Sequence, residues 1–190
     1  MESSKAMAHG LVMVLASFKS VAAMAILALM LPGPASACGY DAQIGGRISM
    51  AHAASIPVAM AVSDAVGAGR LSLLAEMPPP LALMRANGAM RTLAAVLEPG
   101  VGTLPPVALV LVEAHLWGRI TSGPNGMRFE PHVAGPAAGD VVLVTAEPAL
   151  KALLDGRITW EAALAAGLVV VDGPPQGRDQ LARFLSRQDS

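Results

Sequence analysis

The spacing of apolar residues divides the chain into segments of different kinds. In "IPVAMAVSDAVGAG" (Ile56 to Gly69), Val58, Val62 and Val66 recur at i, i+4 and i+8, with Ala59 and Ala65 beside them. That is the stripe of a helix, and Gly67 and Gly69 stop it. "MPPP" (Met77 to Pro80) interrupts regular structure and predicts a rigid corner. "LALMRANGAMRTLAAVL" (Leu81 to Leu97) returns to helical spacing, with Leu83, Met90, Leu93 and Leu97 on one side. Gly88 inside it costs roughly 1 kcal/mol against alanine, so a neighbour packed closely against it is expected.

The pattern then changes from helical to extended. "PVALVLVEAHLWGRI" (Pro106 to Ile120) carries a continuous Val/Leu run, the mark of a buried strand. "SGPNG" (Ser122 to Gly126) reads as a turn, and "MRFEPHV" (Met127 to Val133) alternates with period two, as a half-exposed strand does. After the loop "AGPAAGD", "VVLV" (Val141 to Val144) is another short strand. Short Gly/Pro loops do not accommodate parallel crossovers, so the sheet is expected to be mainly antiparallel. The fold class is α+β: a sheet covered on one side by short helices and preceded by N-terminal helices.

Two short helices follow. Thr145 is placed to cap the first, with Glu147 in its first turn; Leu150, Leu153 and Leu154 form its apolar side, and Gly156 closes it. Thr159 caps the second, where Trp160 and Leu164 make a stripe before Gly167. "LVVV" (Leu168 to Val171) is a strand, and "RDQLARFLSRQ" (Arg178 to Gln188) a last helix with Leu181, Phe184 and Leu185 inward.

Upstream of all this, Lys5 and Lys19 flank the start of an apolar run, "VAAMAILALML" (Val21 to Leu31), followed by "PGPASA" with Ala35 and Ala37 in a small-x-small arrangement. The run is shorter than the roughly 20 apolar residues a membrane span needs. Residues 1–37 therefore read as a signal peptide, which implies export to a periplasm or secretion; an uncleaved anchor starting near Leu11 is the alternative. Cys38, the sole cysteine, cannot form an internal disulfide. As the first residue after the cut it is a candidate for lipidation and so for membrane attachment, although Ala35 stands where a lipobox usually has leucine. Ordinary cleavage leaving a free thiol is the other reading. Residues 38–55 form an irregular lead-in, and residues 56–190 a single α+β domain.

Composition narrows the function classes. Charged residues make up 14% of the chain and the formal net charge is -1, so no basic surplus exists to meet a phosphate backbone and no nucleic-acid partner is expected. Aromatics at 3% leave few stacking platforms. No G-x-S-x-G, P-loop or dinucleotide glycine pattern occurs, which argues against an enzyme and implies no cofactor. His52, His115 and His132 fit no metal-ligand spacing; a site built from His115 and His132 with Glu113 or Glu130 is the remaining metal alternative. Asp140 and Asp172 flank strands as turn formers. Trp117 and Trp160 are either pocket-lining or core residues.

The stretch "LKALLDGRITWEAALAAGLVVVDG" between a strand and a C-terminal helix resembles the C-terminal half of the sterol carrier protein type-2 family. The matching positions are Leu153, Leu154, Gly156, Arg157, Ala162, Gly167 and Gly173, within a similarity running from about Val141 to Leu185 and more weakly back to Val107. The carrier-like part is thus about 107–188. The upstream helices and the "MPPP" corner depart from the family's pattern, as does an export signal. The resemblance implies a non-catalytic module that binds an apolar small molecule or lipid between sheet and helices. Leu150, Leu153, Leu154, Trp160 and Leu164 are then the expected ligand-binding residues. Two other readings stay open: an exported protein-interaction domain with a solid core, and a metal-binding accessory factor.

Overall fold

The computed structural model describes residues 52–189. The expected signal peptide and the candidate lipidation site at Cys38 lie outside the described residues, as does most of the expected lead-in. The described residues begin with two helices, α1 (Ser55–Gly67) and α2 (Pro79–Val96), and a 3-10 turn (Glu98–Gly100). Strands β1 (Val107–Leu111), β2 (Leu116–Gly123), β3 (Gly126–Pro131) and β4 (Val141–Thr145) follow. Helices α3 (Glu147–Leu154) and α4 (Trp160–Ala165), strand β5 (Val169–Asp172) and helix α5 (Pro175–Ser186) complete it. No helix among the described residues is long and apolar enough to cross a membrane.

The α+β class and the mainly antiparallel sheet are as the sequence leads one to expect. The strand order is β3-β2-β1-β4-β5, and every pairing is antiparallel except β1 with β4. That parallel pair corrects the reasoning about short loops. Residues 132–140, without regular structure, carry the chain from the β3 edge to the far side of β1, so a Gly/Pro loop here does hold a crossover.

Register assigns side chains to faces, because paired residues point the same way. Leu109, Gly118 and Leu143 share one face, on which α2 and α5 lie: a Cβ built on Gly118 would come 3.1 Å from Met90 Sδ, and one on Gly177 would come 2.8 Å from Val141 Cγ2. Ala108, Arg119, Val142 and Asp172 share the other face. His52, just before α1, reaches Asp172 at 3.3 Å, and α1 packs on β4. Both faces of the sheet's centre are therefore covered, and every residue of β1 and β4 is buried. This explains why those strands read as unbroken apolar runs rather than alternating ones.

Three local expectations change for physical reasons. The "MPPP" corner does not precede α2 so much as start it. Pro79 and Pro80 occupy its first turn, where missing N–H groups cost nothing because those donors lack intrahelical acceptors. The long apolar run is cut at Val112–His115, where His115 takes φ 47°, so β1 and β2 form a hairpin. Gly88 has no close neighbour: a Cβ there would meet nothing within 4 Å. Gly118 is the glycine that serves close packing, since a Cβ would come 2.6 Å from the Phe129 ring.

Candidate functional site

Helices α3 and α4 hold the five residues expected to bind ligand, and the two helices pack against each other. Leu150, Leu153 and Trp160 are buried in the main core, while Leu154 and Leu164 are half-buried and packed on it. Fully burying a leucine contributes roughly 1.5–3 kcal/mol, so this corner stabilises the fold whatever else it does. Gly156 takes φ +67° and Gly167 φ +69°, which lets each short helix end abruptly. Thr159 caps α4 as expected, its hydroxyl accepting from Ala162 N–H at 3.1 Å. Trp160 and Glu161 N–H groups also donate to the Asp189 carboxylate, which ties α4 to the 3-10 turn (Arg187–Asp189) that follows α5.

Thr145 does not cap α3. It is the last residue of β4, buried, and its hydroxyl donates to the Leu168 carbonyl at 2.9 Å. The N-terminus of α3 is met instead from a distance in sequence: both carboxylate oxygens of Glu113 accept from Glu147 N–H, at 3.0 and 3.1 Å. The Glu147 side chain in turn takes a two-pronged bond from Arg85 of α2, Nε to Oε1 at 2.6 Å and Nη2 to Oε2 at 3.2 Å. Arg85 Nη1 donates to the Ala75 carbonyl at 2.8 Å. One guanidinium thus links α2, α3 and the connector between α1 and α2, beside the carboxyl ends of β1 and β4. Glu113 exposes much of its surface, but its carboxylate faces inward on the helix end. Desolvation there raises its pKa from 4.5 to about 7, helped by the Glu147 charge and opposed by bonds to backbone N–H groups and by Arg85.

Sequence reasoning missed this cluster because its members lie 34 and 62 residues apart. The available signal was scarcity: in a chain with few charges, an arginine inside an apolar helix and a glutamate ending an apolar strand require partners.

The connector carries a second feature. Exposed large apolar side chains occur at Ile56, Met60, Leu73, Met77, Leu81 and Met84, all within α1, the connector and the first turns of α2; Leu73 is 77% and Met84 69% exposed. Among the described residues, no backbone–backbone hydrogen bond anchors residues 72–77. Leu71, just before, is buried.

Among the described residues, no three His, Cys, Asp or Glu side chains group so as to hold a metal ion. His132, at φ 60°, lies 3.2 Å from Asn87 Nδ2, and His52 pairs with Asp172. Asp140 is more than a turn former. Its buried carboxylate takes two bonds from Arg119, at 2.9 and 2.8 Å, and one from Ala137 N–H at 2.8 Å, fixing the crossover loop to β2. Trp117 is buried in the core.

No protein-family model matches the chain, and no curated protein sequence is significantly similar to it. Partial structural similarity exists to a stereoselective inverting sec-alkylsulfatase from Pseudomonas sp., with 16% identity and TM-score 0.37 over 45% of this chain and 13% of that one. A double mutant of a sec-alkyl sulfatase gives 16% identity and TM-score 0.39 over 46% and 14%. The chain therefore spans about one seventh of those sulfatases. A conserved hypothetical protein from Thermus thermophilus, described as a possible sterol carrier protein, aligns at 18% identity and TM-score 0.35 over 56% of this chain and 87% of its own. These similarities are partial, and a functional reading has to stand on the chain's own residues.

Proposed function

We propose that this chain is an exported, non-catalytic binding protein for an apolar small molecule or lipid. The observation that carries the reading is the concentration of exposed apolar side chains on the connector and the start of α2. Leu73, Met77, Leu81 and Met84 present flexible, unbranched or leucine surfaces to water, the last two on α2, which packs on α3, and such surfaces mark binding sites more often than chance exposure does. In this reading they form the outer part of the site. The inner wall is the α3–α4 corner of Leu150, Leu153, Leu154, Trp160 and Leu164, whose side chains part when a ligand enters.

A titration tests it. In a Trp117→Phe background, Trp160 is the remaining tryptophan, and its emission should shift on adding a long-chain fatty acid or a quinone. An emission spectrum that stays fixed across such a panel argues for the second reading, an exported interaction domain with a solid core. The close packing of Leu150 and Trp160 is what favours that alternative.

A further inference from the structure

We propose that β3 is the edge through which two copies of this chain pair, antiparallel about a two-fold axis at Phe129, so that their five-stranded sheets join into one. The inference is independent of the binding reading and stands or falls without any ligand.

The register of the β2–β3 hairpin decides which main-chain groups are open. Gly123 and Gly126 close a two-residue turn and so form a hydrogen-bonded pair. Bonded pairs alternate along an antiparallel ladder, which makes Thr121 with Arg128 and Arg119 with Glu130 the next two. The N–H and C=O groups of Met127, Phe129 and Pro131 therefore point away from β2, off the edge of the sheet. Their surroundings differ. Met127 N–H donates to Glu98 Oε2 at 2.8 Å, and Pro131 has no N–H. The outward groups of Phe129 meet no hydrogen-bond partner among the described residues. An edge left open in this way is a template for another strand. The opposite edge, β5, has four residues against the six of β3 and starts at the buried Val169.

Charge selects both the occupant and the register. Arg128 and Glu130 are exposed and share the face of Arg119, away from α2. Among the described residues neither joins an ion pair, and Arg119, beside Glu130 on β2, gives its guanidinium to Asp140. Pairing about Phe129 sets Arg128 of each copy opposite Glu130 of the other. These are non-hydrogen-bonded positions, where Cα atoms approach to about 4.5 Å and side chains meet most closely. Phe129 exchanges N–H···O=C bonds with its counterpart. Every outward N–H of the strand then has an acceptor: that of Phe129 in the second copy, that of Met127 in Glu98, and Pro131 has none to place. Moving the axis to residue 128 or 130 sets Arg128 against Arg128 or Glu130 against Glu130, and like charges directly opposite repel. The pattern is thus complementary to itself, as a two-fold interface requires.

The test uses the full chain carrying Cys38→Ser, so that no disulfide joins two copies. Sedimentation velocity is followed over a wide range of concentration. The parent should pass from monomer to dimer as concentration rises, and added salt should weaken the dimer by screening the exposed pairs. Arg128→Glu and Glu130→Arg each place like charges at both contacts and should raise the dimer dissociation constant about tenfold or more. Mixed in equal amounts, the two variants restore opposite charges and should form a heterodimer of parental strength. The double variant Arg128→Glu/Glu130→Arg should pair with itself equally well. A parent that stays monomeric, or a dimer that the single variants leave intact, overturns the proposal. Loss in the single variants without recovery in the mixture and in the double variant overturns it too. Circular dichroism monitors folding; if one single variant does not fold, the double variant against the other single variant decides.

Discussion

Replacing Arg119 by methionine isolates the interaction that fixes the crossover. The substitution keeps an unbranched apolar stem on β2 but removes both guanidinium bonds to Asp140. Asp140 then retains one donor, Ala137 N–H, and a carboxylate whose side chain is 0% exposed. Breaking a buried ion pair from one side destabilises by roughly 3–5 kcal/mol, because the remaining charge is left uncompensated. Arg119 is 30% exposed, so water makes good part of the loss, and the lower end of the range, about 3 kcal/mol, is expected. For a domain of this size that corresponds to a fall in Tm of about 10 °C. Urea unfolding followed by tryptophan fluorescence measures it directly. Asp140→Asn added to Arg119→Met should recover part of the loss, since the orphaned charge disappears, and the double-mutant cycle gives the coupling. A loss under about 1 kcal/mol, the size of a surface pair, or additive single effects, would refute the idea that this pair secures the loop between β3 and β4.

The other predictions concern single positions. Gly88→Ala should stabilise by up to about 1 kcal/mol, seen as a higher urea midpoint, because helix propensity improves and the new methyl meets nothing. Gly118→Ala should destabilise by roughly 1–3 kcal/mol in the same assay, since the methyl collides with the Phe129 ring and Met90 Sδ. Thr159→Ala should cost about 1 kcal/mol by loss of the α4 cap, with Thr159→Ser close to neutral. Glu113 makes stability depend on pH: its folded-state pKa of about 7 exceeds its ordinary 4.5, so its contribution is complete below pH 4.5 and lost as pH rises through 7. Tm measured from pH 4.5 to 8 should fall less in Glu113→Gln than in the parent, and equal slopes would exclude the effect.

Local signals were legible where a short stretch decides the outcome. Gly156 and Gly167 do end α3 and α4, Thr159 does cap α4, and the Val/Leu runs are buried strands. What a single stretch cannot carry is the choice among distant partners. The parallel alignment of β1 with β4 depends on where residues 132–140 return the chain, and their Gly/Pro/Ala composition is compatible with several paths. Thr145 looked like a cap because its residue type suits one. The side chain points instead to the Leu168 carbonyl, on a strand connection that the local sequence does not announce. The leucines and tryptophan of the α3–α4 corner read as an apolar side, and of them Leu150, Leu153 and Trp160 are buried while Leu154 and Leu164 are half-buried; such a pattern is the same for a core and for a pocket wall. Glu113, Arg85 and Glu147 lie 34 and 62 residues apart and are brought together by the fold, not by a local pattern.

Native mass spectrometry of the full chain, purified without detergent, tests the proposed function most directly. The account predicts a population heavier than the polypeptide by the mass of one apolar small molecule or lipid, with the excess lost on denaturation. A single mass equal to the bare chain, unchanged after incubation with fatty acids and quinones, would contradict it.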